Sequence, residues 1–210
     1  MENIISIFVR SIFIDNMVFA FFFGMCSYIA VSKSVKTAMG LGIAVIFVMV
    51  MTVPINYLLS ELILSPGALG WINPAYGPGG ESEIDLSFLS FIVFIAVIAS
   101  FVQLVEMVVE KFAPALYNQL GIFLPLIAVN CAIMGGSLFM QERDYASLGE
   151  ATAFAAGSGI GWWLAIILMA AIRERLSYSN IPAPLRGAGI TFILTGLMGI
   201  AFMTFMGIQL

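Results

Sequence analysis

The 210 residues are 61% hydrophobic and 10% charged, with a mean hydropathy of +1.08. No soluble domain could present that balance to water, so the solvent of this chain is lipid. Histidine is absent and the net charge is −4, which removes bis-histidine haem, most zinc sites and Rieske-type ligation from anything the chain builds alone and gives no sign of nucleic-acid binding.

Six stretches carry no charged residue: 16–32, 37–60, 86–105, 112–141, 151–172 and 187–210. Each has about the ~17–25 residues that a helix needs to cross a ~30 Å hydrocarbon core, so they predict six transmembrane helices. Alternation at period two is missing, which sets the pattern apart from a β-barrel. The first stretch, preceded by Arg10 and holding Ala30-Val31-Ser32, resembles a signal peptide, but Asp15 would fall inside its apolar core, so a retained helix is expected. After the second stretch, residues 65–80 are dense in Gly and Pro and predict an extracytoplasmic loop with Trp71 and Tyr76 near the membrane interface. The acidic balance comes mostly from this region, through Glu61, Glu81, Glu83 and Asp85. The third stretch ends against Glu106, the fourth contains Cys131, and the fifth contains Gly157-Ser-Gly-Ile-Gly161. The remaining connections are short, so one transmembrane domain over 1–210 is expected.

Lys33 and Lys36, Lys111, and Arg173, Arg175 and Arg186 fall between stretches one and two, three and four, and five and six. The positive-inside rule makes those loops cytoplasmic and both termini periplasmic, with Arg10 and Arg143 dissenting. A faint repeat relates residues of about 1–110 to about 111–210. Gly40-Leu-Gly-Ile-Ala44 resembles Gly157-Ser-Gly-Ile-Gly161, and Cys26 and Cys131 stand 105 residues apart, one in each half. Three helices per half is an odd number, so the halves must insert in opposite senses. Such chains typically break helices near the midplane and build a site there.

Sulfur and carboxylate are the chemistry left. Cys26 follows Phe23-Gly24-Met25, and Cys131 lies between Val129-Asn130 and Ala132, with Gly135-Gly136 beyond. Small or helix-breaking neighbours would let backbone N–H groups face whatever the sulfurs hold. Equally, a free cysteine is a small hydrophobe that packs well in apolar surroundings. Two thiolates cannot complete an iron–sulfur cluster that needs four, so any such reading demands two cysteines from another chain. Asp15 and Glu106 are carboxylates at membrane depth, where charge is costly and often marks an ion path; both could instead face water at a helix end. Gly157 and Gly161 form a GxxxG pair suited to close helix packing and do not have dinucleotide-binding spacing. No residue stands out as catalytic. A secondary transporter or a structural scaffold with incidental thiols would use much of the same text.

Several blocks together narrow the choice: Arg10-Ser-Ile-Phe-Ile-Asp-Asn-Met17, Gly24-Met-Cys-Ser-Tyr28, Leu120-Gly-Ile-Phe-Leu-Pro-Leu126 with Asn130-Cys131-Ala132, Gly157-Ser-Gly-Ile-Gly-Trp162, Ile172-Arg-Glu-Arg175 and Leu185-Arg-Gly187. From end to end the chain resembles the E subunit of the bacterial Na⁺-translocating NADH:quinone oxidoreductases, with the A subunit of the Rnf-type ferredoxin:NAD⁺ oxidoreductases as a sister family. The 65–80 loop is the one departure from many members. The resemblance implies an all-α integral membrane fold of six helices as two inverted three-helix repeats. It implies a homologous partner, the D subunit, within a six-subunit complex of the inner membrane. It further implies that Cys26 and Cys131, with two cysteines of that partner, hold an intramembrane [2Fe–2S] centre relaying electrons from an NADH-oxidising subunit towards flavin and quinone, with no catalytic residue in this chain.

Overall fold

A computed structural model describes residues 4–65, 87–112, 125–180 and 182–207. Among them the regular secondary structure is all helical, with no strand. In order come α1 (Ile4–Phe13), α2 (Met25–Val31), α3 (Val35–Leu59), α4 (Ser90–Phe112), α5 (Pro125–Ala128), α6 (Cys131–Arg143), α7 (Leu148–Leu176) and α8 (Ala188–Met203). A π-helical turn, Ser60–Leu64, prolongs α3, and short 3₁₀ turns precede α4 and flank α8.

Three helices are long and apolar enough to cross a membrane: Val35–Leu64, Ser90–Val108 and Leu148–Leu176. The expected count of six is not met by continuous helices among the described residues. The reason is physical: the first charge-free stretch is helical only over α2, past a break that parts it from α1, the fourth breaks between α5 and α6, and α8 has only 16 residues. The loop expected at 65–80, with Trp71 and Tyr76, lies outside the described residues save Ser65.

Broken backbone inside a membrane protein needs internal hydrogen-bond partners, and an asparagine supplies them at each break. Asn16, fully buried, donates to the Ile12 carbonyl (3.0 Å) and the Gly161 carbonyl (2.9 Å) and accepts from the Val18 N–H (3.0 Å). Asn130 caps α6 by accepting from the Ala132 N–H (3.1 Å).

The core forms where α3 and α1 pack on α7, with α6 against α3. Glycine makes those contacts close. A Cβ on Gly157 would lie 2.6 Å from the Phe8 carbonyl oxygen, and one on Gly161 would lie 2.9 Å from that of Ile12, so the GxxxG pair seats α1 directly on α7. Gly42 of α3 does the same beneath the Trp163 ring. On its other side α3 shows Met39, Ile43, Phe47, Met51 and Ile55, one every fourth residue, to the exterior. An exposed apolar stripe of that kind is the mark of a helix whose outer solvent is hydrocarbon. Asn56 of α3 donates to Ser137 Oγ of α6 (2.8 Å), a buried polar tie between the two.

Charged groups gather at the two ends of this bundle. At one end Arg173, near the close of α7, reaches Ser32 between α2 and α3. At the other, Arg10 and Arg143 converge on Asp15, and the Tyr57 hydroxyl donates to the Tyr145 carbonyl (3.0 Å). The two basic residues that dissented from the charge rule therefore share a single carboxylate.

Candidate functional site

The two cysteines occupy equivalent places in the two broken stretches. Cys26 is the second residue of α2 and Cys131 the first of α6, each just past a break. Their sulfurs are 3.8 Å apart, too far for the ~2.05 Å bond of a disulfide, and both residues are free and exposed at the protein surface.

Behind the sulfurs the chain is tightly ordered. Gly24, buried, turns the backbone into α2 with φ +76°, a left-handed value that disfavours any side chain. A Cβ there would stand 2.5 Å from Trp162 Nε1, 2.7 Å from Asn130 Oδ1 and 3.1 Å from Ala132 Cβ. Thus the break before α2, the cap of α6 and the middle of α7 meet at one point. Trp162 Nε1 and Asn130 Nδ2 are buried there with no protein acceptor among the described residues. The far end of α2 is held by Arg173, whose Nη1 donates to the Ile29 carbonyl (2.9 Å) and to Ser32 Oγ (2.6 Å).

Asp15 sits in the break itself, 13% exposed, with Arg143 Nη1 at 2.9 Å and Arg10 Nε at 3.2 Å. Arg143 also lies over the Phe139 and Phe154 rings, 5.8 and 5.3 Å from their centroids. Burial alone would lower its pKa, but the Tyr145 hydroxyl and the Asp15 carboxylate outweigh that effect and raise it. An open cavity of about 540 Å³ lined by Ile7, Arg10, Arg143, Asp144, Tyr145, Ala146 and Glu150 leads to this pair. Glu106 is elsewhere, half-buried near the end of α4, ahead of Glu110 and Lys111. The structure thus brings Cys26 and Cys131 together and leaves Asp15 and Glu106 on separate elements.

Three residues of this arrangement escaped sequence reasoning as site components: Asn16, Trp162 and Arg173. An asparagine in an apolar run was a signal in plain view. Trp162 and Arg173 had no signal, because their partners lie more than a hundred positions away. Among the described residues no three Cys, Asp or Glu side chains gather as a metal site within this chain would require.

The fold and site define a multi-pass α-helical membrane protein that presents a thiol pair at two helix breaks. The chain belongs to the Rnf-Nqr family of membrane subunits, whose pattern matches residues 4–209. It is 57% identical to the Na⁺-translocating NADH-quinone reductase E subunit of Stutzerimonas stutzeri, 56% to that of Ectopseudomonas mendocina and 59% to that of Psychromonas ingrahamii. Each comparison runs over 210 residues and covers the whole of both chains. The resemblance to the E subunit therefore holds along the entire length.

Proposed function

We propose that this chain is a non-catalytic membrane subunit of a Na⁺-translocating NADH:quinone reductase in the bacterial inner membrane, and that Cys26 and Cys131 supply two of the four ligands of an intramembrane [2Fe–2S] centre. The observation that carries the proposal is the separation of the two sulfurs, 3.8 Å. Two thiolates about 2.3 Å from one tetrahedral metal stand about 3.8 Å apart, so the pair already has the bite of a chelate. A cluster held by four thiolates needs two more than the two cysteines of this sequence, and these come from a second polypeptide. The homologous D subunit is the partner that completes the set, and the exposure of both cysteines leaves room for it.

When bound, such a cluster accepts and passes single electrons. The residues of this chain hold its two sulfurs in place: Asn130 fixes the start of α6 and Gly24 permits the turn into α2. The electron path runs from the NADH-oxidising side of the complex to its flavin and quinone side.

The same proposal takes the fold as six spans in two inverted repeats, about 1–110 and 111–210. The first and fourth spans are the broken ones, α1 with α2 and α5 with α6, and this is supported by the position of one cysteine at each break. The distribution of Lys and Arg supports periplasmic termini. For the ion path we propose Asp15 and Glu106, and Asp15 would then have to exchange its Arg143 partner for a sodium ion.

Replacing Cys26 or Cys131 by Ala in the assembled complex tests the central claim. Iron content, the electron paramagnetic resonance (EPR) signal of the reduced cluster and quinone reduction should fall together. A transporter or a scaffold with incidental thiols would keep all three, and that result would overturn the proposal.

A further inference from the structure

The half-helix that carries Cys26 has little to hold it by itself. It spans seven residues, far fewer than the ~12–15 at which an isolated helix becomes even marginal, and no side chain caps its start. Nevertheless its sulfur lies 3.8 Å from one carried by a different element. Both ends of α2 are gripped by α7. At the beginning, the buried Trp162 ring abuts Gly24, leaving no space for even a methyl group. At the finish, a single nitrogen of Arg173 donates to the Ile29 carbonyl and to Ser32 Oγ, while Ser32 Oγ also donates to Ile29 (3.4 Å). Trp162 and Arg173 are three helical turns apart, about 16 Å along α7, against about 10 Å for α2. One unbroken helix therefore spans the short one and braces it from end to end.

We infer that Trp162 and Arg173 are positioning residues for the Cys26 thiol, and that α7 sets the spacing of the two sulfurs. Neither residue touches the sulfurs. Trp162 fixes where α2 begins and Arg173 fixes how far along α7 it can slide. The inference rests on the reading of Cys26 and Cys131 as metal ligands. It also goes further, since it makes the geometry of the ligand pair depend on residues well outside it. Lysine would replace the rigid planar nitrogen that makes both contacts with a point charge on a flexible stem.

The test uses the purified complex with Arg173→Lys and Ser32→Ala, and Arg175→Lys as the neighbouring exposed control. The readouts are the g-values and linewidth of the reduced cluster, its midpoint potential and iron per complex. Arg173→Lys should broaden the signal and shift the potential with the protein still present in the complex, and Ser32→Ala should shift both the same way by less. Arg175→Lys should match the wild type. Should both Arg173→Lys and Ser32→Ala give wild-type spectra and potential, the inference is overturned while the ligand assignment stands. Ser32→Ala keeps every charge and is small enough to fold, so it decides alone if Arg173→Lys fails to assemble. Cys26→Ala, run in parallel, identifies the separate failure: iron retained there overturns the ligand assignment, and this inference with it.

Discussion

Substituting Ala for Gly24 should disturb the thiol pair. Two costs combine at that position. A non-glycine residue in the left-handed region loses about 1–2 kcal/mol, and φ here is +76°. The new methyl carbon would stand 2.5 Å from Trp162 Nε1 and 2.7 Å from Asn130 Oδ1, where unstrained contacts are about 3.5–4.0 Å. Neither neighbour has space to retreat: Trp162 is 0% exposed and Asn130 is engaged in capping α6. Overpacking of this sort costs about 1–3 kcal/mol, for a local total of about 2–5 kcal/mol. Relief has to come from the start of α2, which must move by about 1 Å to restore ordinary contact distances. Cys26 is two residues on, so the 3.8 Å separation of the sulfurs cannot survive unchanged. Iron content and the EPR signal of the purified complex, with its thermal midpoint, read the effect. Gly199→Ala is the control, since nothing lies within 4 Å of a Cβ there. If Gly24→Ala matches the wild type in iron, spectrum and midpoint, the account of the site behind the sulfurs is wrong.

Gly157→Val should push α1 off α7, because even a Cβ would meet the Phe8 carbonyl oxygen at 2.6 Å and Ser11 Cβ at 2.8 Å. A loss of about 2–3 kcal/mol is expected, seen as a lower thermal midpoint or less of this chain in the purified complex. Asp15→Asn weakens the pair with Arg143 and should cost about 1–2 kcal/mol, between the values for exposed and buried ion pairs. Under the ion-path proposal Asp15→Asn and Glu106→Gln also lower sodium-dependent turnover while leaving the iron signal in place. Unchanged sodium dependence in both would remove these carboxylates from the path.

Composition alone settled the solvent of this chain, because a mean hydropathy of +1.08 leaves no other medium. Local text was also enough to single out Cys26 and Cys131 and their small neighbours, since two cysteines in an apolar chain can be picked out without coordinates. Charge-free runs were less reliable guides to helices. Hydropathy measures the cost of burying side chains and is blind to a backbone that breaks and satisfies itself through Asn16 or Asn130. Counting charge-free runs alone therefore gives six spans and misses that α1 and α2, or α5 and α6, are separate pieces.

The spacing of the sulfurs belongs to the tertiary structure alone. Residues 105 apart in sequence come within 3.8 Å where Gly24, before α2, meets Trp162 of α7 and Asn130 at the start of α6. Helix α7 admits α1 at its glycines, meets Gly24 with its tryptophan and closes α2 with its arginine. Such contacts join positions that no local period connects, so the chain shows them only once it is folded.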